Sequence, residues 1–318
     1  MKNLNIKEIL VLALQNHQKN NLHDAIDLYK KILKINPNYI EALRNLAVAY
    51  TVLNENQKAI TCYEKVVEID PNYTEGYYNL GVLLNKLGDK QKAKNYYEKL
   101  IEIDPNYAKA HNNLGALHLD LKSIQKATDC FEKAIEIDPN YVNAHFNLGN
   151  LFKELGEIEK VKDCYKKAIE LNPNYVDAHF NLGTIFQELN EYQKAIACYK
   201  KVIELNPNYE KAYFNQGNAY IELGENKKAI DCYERLIKID SNHAAAYCSL
   251  GVHHRILKQY KKSKTYFEKS LSLNSSNKRT MAGYGALLLD LHEFTKAFKF
   301  IADGEGVIKF TKTNFKIF

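Results

Sequence analysis

The chain has 318 residues, 46% apolar and 26% charged, an ordinary composition for a soluble protein. No apolar run reaches the ~20 residues a membrane helix requires, and Ile9 to Leu14, which follows Lys7 and Glu8, predicts a buried helix face rather than a leader. The formal net charge of +6 is unevenly placed, with 31 basic against 33 acidic residues in 1–243 and 13 against 5 in 244–318.

From residue 6 onward the sequence repeats every 34 residues. All six prolines stand on one ladder: Pro37, Pro71, Pro105, Pro139, Pro173 and Pro207. Seven of the 14 glycines stand on another: Gly81, Gly115, Gly149, Gly183, Gly217, Gly251 and Gly285. A small-residue column runs from Ala25 through Val161 to Ala297, and an aromatic one from Tyr29 through Phe131 and Tyr165 to Phe267, closing with Ile301. A leucine column runs from Leu12 to Leu182, then holds Gln216, Leu250 and Tyr284.

Each repeat predicts two helices of roughly 14 residues, too short to stand alone in water. Glycine in the middle of the first helix costs about 1 kcal/mol against alanine. That cost is expected to be offset by a close approach of two helix axes, with the alanine column as the facing surface and the aromatics filling the space between repeats. Proline ends the second helix. The asparagine after it (Asn38, Asn72, Asn106, Asn140, Asn174, Asn208) is the expected N-cap of the next first helix. Glu41, Glu75 and Asp177, three residues further on, have capping-box spacing.

These columns resemble the tetratricopeptide repeat, an aromatic, Leu-Gly, Ala, aromatic and Pro pattern. One repeat reads Ala144-His145-Phe146-Asn147-Leu148-Gly149, then Val161, Tyr165 and Pro173. The outer repeats depart from it, with Ala13 for glycine in the first and Ser241 and Ser275 for proline in the last two. The resemblance implies an all-α protein, a right-handed α-solenoid of about nine 34-residue helix-turn-helix repeats starting near 6, 40, 74, 108, 142, 176, 210, 244 and 278. The repeat domain is expected over 1–311, with a tail or cap at 312–318. The strand-like composition of Val307 to Phe318 would suit a lid over an open end.

Stacked repeats imply a concave face lined by first helices, and there the column Asn45, Asn79, Asn113, Asn147, Asn181 and Asn215 is the candidate site. It resembles the asparagine ladder in the repeat region of O-GlcNAc transferase and in armadillo-type import receptors, whose amides bond the backbone of an extended peptide. Tyr78, Phe146, Phe180 and Phe214 directly precede the asparagines, and Asn150, Thr184 and Asn218 follow those aromatics by one helical turn. The competing reading is that the asparagines hold the helix pair and the rings only pack between repeats. The column that carries lysine in chaperone-tail receptors holds only Arg44 as a basic residue, with Val48 at its partner position, which disfavours that role.

Other groupings predict no chemistry. His111, His145 and His179 share a column whose members stand ~10 Å apart, too far for one metal. His253 and His254 face two directions. Cys62, Cys130, Cys164, Cys198 and Cys232 share a column without a Cys-x-x-Cys pair and are expected to be packing residues in a reducing compartment. With no phosphate loop, zinc spacing or nucleophile elbow, neither a cofactor nor enzymatic activity is expected. Only 4 of 44 basic residues are arginine, so nucleic acid is not an expected partner. Lys258, Lys261, Lys262, Lys264, Lys278 and Arg279 make either a solvated end or a dock for an acidic partner. The expectation is therefore a cytoplasmic scaffold that binds an extended peptide, without membrane insertion. The alternative is a substrate-binding arm for an O-GlcNAc-transferase-like enzyme whose catalytic part lies elsewhere.

Overall fold

A computed structural model describes residues 5–305, 308–310 and 315–317. It divides into two compact bodies, Met1–Cys164 and Tyr165–Phe318. The first body holds α1 (Ile6–Gln18), α2 (Leu22–Ile35), α3 (Ile40–Val52), α4 (Asn56–Ile69), α5 (Thr74–Lys86), α6 (Lys90–Ile103), α7 (Ala108–Asp120), α8 (Ile124–Ile137) and α9 (Val142–Glu154). The boundary falls inside α10 (Ile158–Leu171). The second body holds α11 (Val176–Glu188), α12 (Tyr192–Leu205), α13 (Glu210–Glu222), α14 (Asn226–Ile239), α15 (Ala244–Ile256), α16 (Tyr260–Leu273), α17 (Lys278–Asp290) and α18 (Phe294–Glu305). The fold is an all-α solenoid of roughly nine helix-turn-helix repeats. Within each body a first helix packs on its own second helix, and that one on the next first helix.

Among the described residues two short strands follow the helices. β1 (Ile308–Phe310) pairs antiparallel with β2 (Phe315–Ile317), Ile308 opposite Ile317. The expected lid over 307–318 also includes 307, 311–314 and 318, which lie outside the described residues.

The period rests on one contact, and it differs from the expected one. A Cβ added at Gly81 would stand 2.4 Å from the ring of Tyr97, on the second helix of the same repeat. Gly115 meets Phe131 at 2.8 Å, Gly183 meets Tyr199 at 2.8 Å and Gly217 meets Tyr233 at 2.6 Å in the same way. The glycine therefore makes room for a ring within its own repeat, rather than for an alanine face with the ring between repeats. Those rings are the largest fully buried side chains, while the alanine column is closed to solvent beside them. Burying one such ring is worth roughly 1.5–3 kcal/mol, which exceeds the helix-propensity cost of the glycine.

The turns also differ in detail. Tyr73 and Tyr107, not the asparagines before them, occupy the N-cap positions of α5 and α7, and neither makes a side-chain capping bond. The asparagines lie inside an Asx turn, in which Asn72 N–H donates to Asp70 Oδ1 at 3.0 Å and Asn106 N–H to Asp104 Oδ1 at 3.0 Å. The expected capping boxes therefore do not form at Glu41, Glu75 or Asp177, whose helices have Tyr39, Tyr73 and Tyr175 as N-caps. Glu75 instead accepts from the Tyr73 hydroxyl at 2.9 Å and from Arg44 Nη1 at 3.3 Å. A capping box does form at the start of α1, between Asn5 and Glu8. Tyrosine holds the N-cap because its ring packs: Tyr107 lies 5.4 Å from Tyr78, and Tyr209 lies 5.1 Å from Phe180.

The expected buried stretch Ile9 to Leu14 is buried on one stripe only. Ile9, Leu10 and Ala13 face α2, whereas Val11 is 54% and Leu12 40% exposed, as helical periodicity requires. At the far end His253 and His254 do face two directions, but both are buried against rings. His253 stacks on Tyr233 at 6.3 Å, and His254 stacks on Tyr266 at 5.2 Å.

Two outcomes follow from this packing. Gly81→Ala should destabilise by about 1–3 kcal/mol through overpacking, and far less in a Tyr97→Ala background, where the ring is gone; equal losses in urea titrations of both backgrounds would refute the ring contact. Burial, then the charges of Arg279 and His254, lowers His253 from 6.5 to about 4. The unfolded chain takes this proton below pH 6.5 and the fold refuses it until about 4, so stability present above 6.5 is lost as pH falls between those values. At pH 5 the loss is about 2 kcal/mol. His253→Phe should flatten that part of the stability profile, and an unchanged profile would contradict the assignment.

Candidate functional site

The first helices carry the candidate residues: Asn45, Asn79, Asn113 and Asn147 on α3, α5, α7 and α9 of the first body, and Asn181 and Asn215 on α11 and α13 of the second. All six are half-buried, as are Tyr78, Phe146, Phe180, Phe214, Asn150, Thr184 and Asn218. In the first body α7 lies beside α9, and in the second α11 lies beside α13 and α15 beside α17, so first helices form a wall within each body.

The asparagines are tied into the fold to different degrees. Asn113 Nδ2 donates to the Tyr97 hydroxyl of the preceding repeat at 3.2 Å and Asn181 Nδ2 donates to that of Tyr165 at 3.5 Å, whereas the Tyr199 hydroxyl donates to Gln187 Oε1 at 2.9 Å. The same tyrosine thus fills its own repeat with its ring and reaches the next repeat with its hydroxyl. Burial pushes the Tyr97 and Tyr199 phenols upward, so the hydroxyls stay protonated. Where the column holds Phe131, which has no hydroxyl, Asn147 Nδ2 turns to Asn112 Oδ1 at 2.9 Å. In the first repeats Tyr29 bonds His17 at 3.2 Å, and Asn45 donates to the Glu41 carbonyl at 2.8 Å. Asn79 makes no side-chain hydrogen bond among the described residues.

The aromatics lie between their own second helix and the next repeat's tyrosine or its replacement. Tyr78 meets Tyr97 at 6.3 Å, Phe180 meets Tyr199 at 5.9 Å, and Phe214 meets Tyr233 at 5.8 Å and His243 at 5.3 Å. One turn on, Thr184 donates to the Asn181 carbonyl at 2.7 Å, and Asn218 Oδ1 accepts from the Tyr233 hydroxyl at 2.7 Å. Sequence reasoning missed the tyrosine hydroxyls and the buried Asn112 as partners of this column. The signal was available as a constant separation of sixteen residues between each tyrosine and the asparagine it serves.

The remaining groupings have structural roles. His111, His145 and His179 each place Nε2 at 2.9–3.0 Å from the carbonyl of Pro105, Pro139 and Pro173, tying a first helix to its preceding turn. No group of metal-ligating side chains gathers among the described residues. The cysteines are free, and burial raises Cys62, Cys130, Cys164 and Cys198 to about 11. Lys258, Lys261, Lys262, Lys278 and Arg279 are exposed, and Lys264 lies 3.9 Å from Glu293. No helix among the described residues is long and apolar enough to cross a membrane.

Profiles described as tetratricopeptide repeat match residues 28–61, 74–107, 108–141, 142–175, 176–209, 198–231 and 244–277. One described as TPR repeat matches 49–88 and 217–256. No curated protein matches the chain. Among solved structures it is similar to YrrB, described as a TPR protein with an unusual peptide-binding site, at 24% identity over 58% of this chain and 95% of that one, with a TM-score of 0.50. It is also similar to pilF of Pseudomonas aeruginosa, at 19% identity over 61% of this chain and 88% of that one, with a TM-score of 0.51. MamA is 27% identical over 54% of this chain and 94% of that one, at a TM-score of 0.48. The likeness to YrrB and pilF is one of fold. With repeat profiles running unbroken from residue 28 to 277, the chain belongs to the tetratricopeptide-repeat family.

Proposed function

We propose that the chain is a non-catalytic scaffold that holds an extended segment of a partner protein along its first helices, within either body. The observation that carries this reading is the half-buried column of asparagine amides and aromatic rings, repeated on α3, α5, α7 and α9 and again on α11 and α13. Second helices reach this column through side chains such as Tyr97 and Tyr199, and its half-buried members keep part of their surface for a guest. An amide has two donors and one acceptor, and a bond to a tyrosine hydroxyl uses one donor. A peptide that reaches the column pairs its backbone groups with the remaining capacity.

Geometry supports an extended guest. Neighbouring helices pack ~10 Å apart, and extended chain advances ~3.3 Å per residue, so one asparagine meets about every third residue. Backbone contacts of this kind supply affinity with little sequence preference, while the rings of Phe180 and Phe214 take occasional apolar side chains. This is the contact mode of the O-GlcNAc transferase ladder, and a peptide-binding site is also described for YrrB.

Asn79 separates binding from stability, because it has no bond inside the fold to lose. A twelve-residue peptide selected from a display library on the wild-type chain should bind Asn79→Ala more weakly by about 0.5–1.5 kcal/mol, with the melting temperature unchanged. Asn113→Ala should weaken binding and lower stability together, since it also strands the Tyr97 hydroxyl. Undiminished affinity in both variants, measured by fluorescence anisotropy, would refute the groove.

A further inference from the structure

We infer that the segment held along the first helices is cationic, with lysine or arginine side chains about three residues apart; this rests on the groove reading above. Seven residues after four of the asparagines, on the same helix face, stand Asp120, Glu154, Glu188 and Glu222. Each is the last residue of its helix, ending α7, α9, α11 and α13, and Asp290 ends α17 in the same way. A helix presents unsatisfied carbonyls and a partial negative charge at that end, so a carboxylate there is opposed by the helix dipole. Local stability favours lysine or glutamine at this position, and five helices break that rule.

Two of the five carboxylates show what offsets the opposition. Asp120 Oδ2 takes Lys90 Nζ at 2.7 Å, and Asp290 Oδ2 takes Arg255 Nε at 2.7 Å, each cation coming from a neighbouring repeat. The chain supplies no such cation to Glu154 or Glu222. The positions equivalent to Lys90 and Arg255 hold Ile124 and Leu119 before Glu154, and Tyr192 and Gln187 before Glu222. Glu154, Glu188 and Glu222 are exposed and enter no ion pair among the described residues.

The column takes a cation from a neighbouring repeat at Asp120 and Asp290. Within the second body Glu188 and Glu222 stand open in consecutive repeats on the face proposed to hold the guest, Glu188 even though Lys153 holds the position equivalent to Arg255 before it. A free metal ion does not fit, because single carboxylates ~10 Å apart cannot chelate it. A lysine or arginine suits the face better. Its charged head reaches the helix-end carboxylate, while its aliphatic stem runs toward the half-buried ring about two turns back, Phe180 before Glu188 and Phe214 before Glu222. The repeat spacing puts successive basic side chains about three residues apart in the guest.

Three labelled twelve-residue peptides test this on the full chain by fluorescence anisotropy: triplets of Lys-Ser-Thr, of Gln-Ser-Thr and of Glu-Ser-Thr. The lysine peptide should bind about tenfold tighter than the glutamine peptide at low ionic strength, lose most of that advantage at high salt, and outcompete the glutamate peptide throughout. Glu188→Gln combined with Glu222→Gln should abolish the preference while keeping or raising the melting temperature, since two dipole-opposed charges are removed. Equal binding of the lysine and glutamine peptides, with loss in Asn79→Ala, would overturn the charge inference and leave the groove standing. A lysine preference that survives the double variant, or no binding by any peptide, would also overturn it. Binding that ignores the asparagine variants would sink the groove reading itself.

Discussion

A ring seated against a glycine inside each repeat is the contact on which the rest of the structure depends. Tyr97 on Gly81, Tyr199 on Gly183 and Tyr233 on Gly217 bring two short helices close enough to act as one piece. The same side chain then couples that piece to the next, because the hydroxyls of Tyr97 and Tyr165 accept from Asn113 and Asn181 one repeat later. Phe131 shows the dependence by omission. Without a hydroxyl on it, Asn147 swings to Asn112, and the link between repeats is rebuilt from a different pair.

That coupling gives the asparagine column two employments at once. Facing inward, an amide donates to the tyrosine that stacks its repeat; facing outward, it lies half-exposed beside Tyr78, Phe180 or Phe214. The two uses compete for few donors and acceptors, so the structural and the binding readings of the column are not exclusive. The balance varies along the chain. Asn113 is engaged on both sides of its amide, by Tyr97 and Asn112, whereas Asn79 is engaged on neither. A guest would gain most where the fold asks least.

The period, the helix pairs and the column itself were legible in the sequence because each repeats a chemically distinctive residue at a fixed interval. What was not legible came from contests between effects of similar size. Asn72 is a good N-cap worth about 1 kcal/mol, but Asp70 captures its N–H in an Asx turn and Tyr73 takes the cap, leaving Glu75 to Tyr73 and Arg44. The glycine column announces a close approach but not its partner, since ring and alanine columns share one period and either could face the glycine. The hydrogen bonds of Asn113, Asn147 and Asn181 link different helices of different repeats, which no local pattern announces.

Charge placement follows the same division of labour. The second helices carry paired charges such as Lys99 with Glu102 and Lys133 with Glu136, which solvate the outside at little energetic consequence. At the ends of the first helices α9, α11 and α13, by contrast, Glu154, Glu188 and Glu222 enter no ion pair among the described residues. The most direct measurement is the set of side-chain amide resonances in the nitrogen-edited NMR spectrum of the deuterated chain, titrated with the lysine-bearing peptide. A guest on the first-helix face should shift the amides of Asn79, Asn147 and Asn215 and leave the turn amides of Asn72, Asn106 and Asn208 in place. Shifts confined to the turn amides, or none at saturation, would contradict a guest on that face.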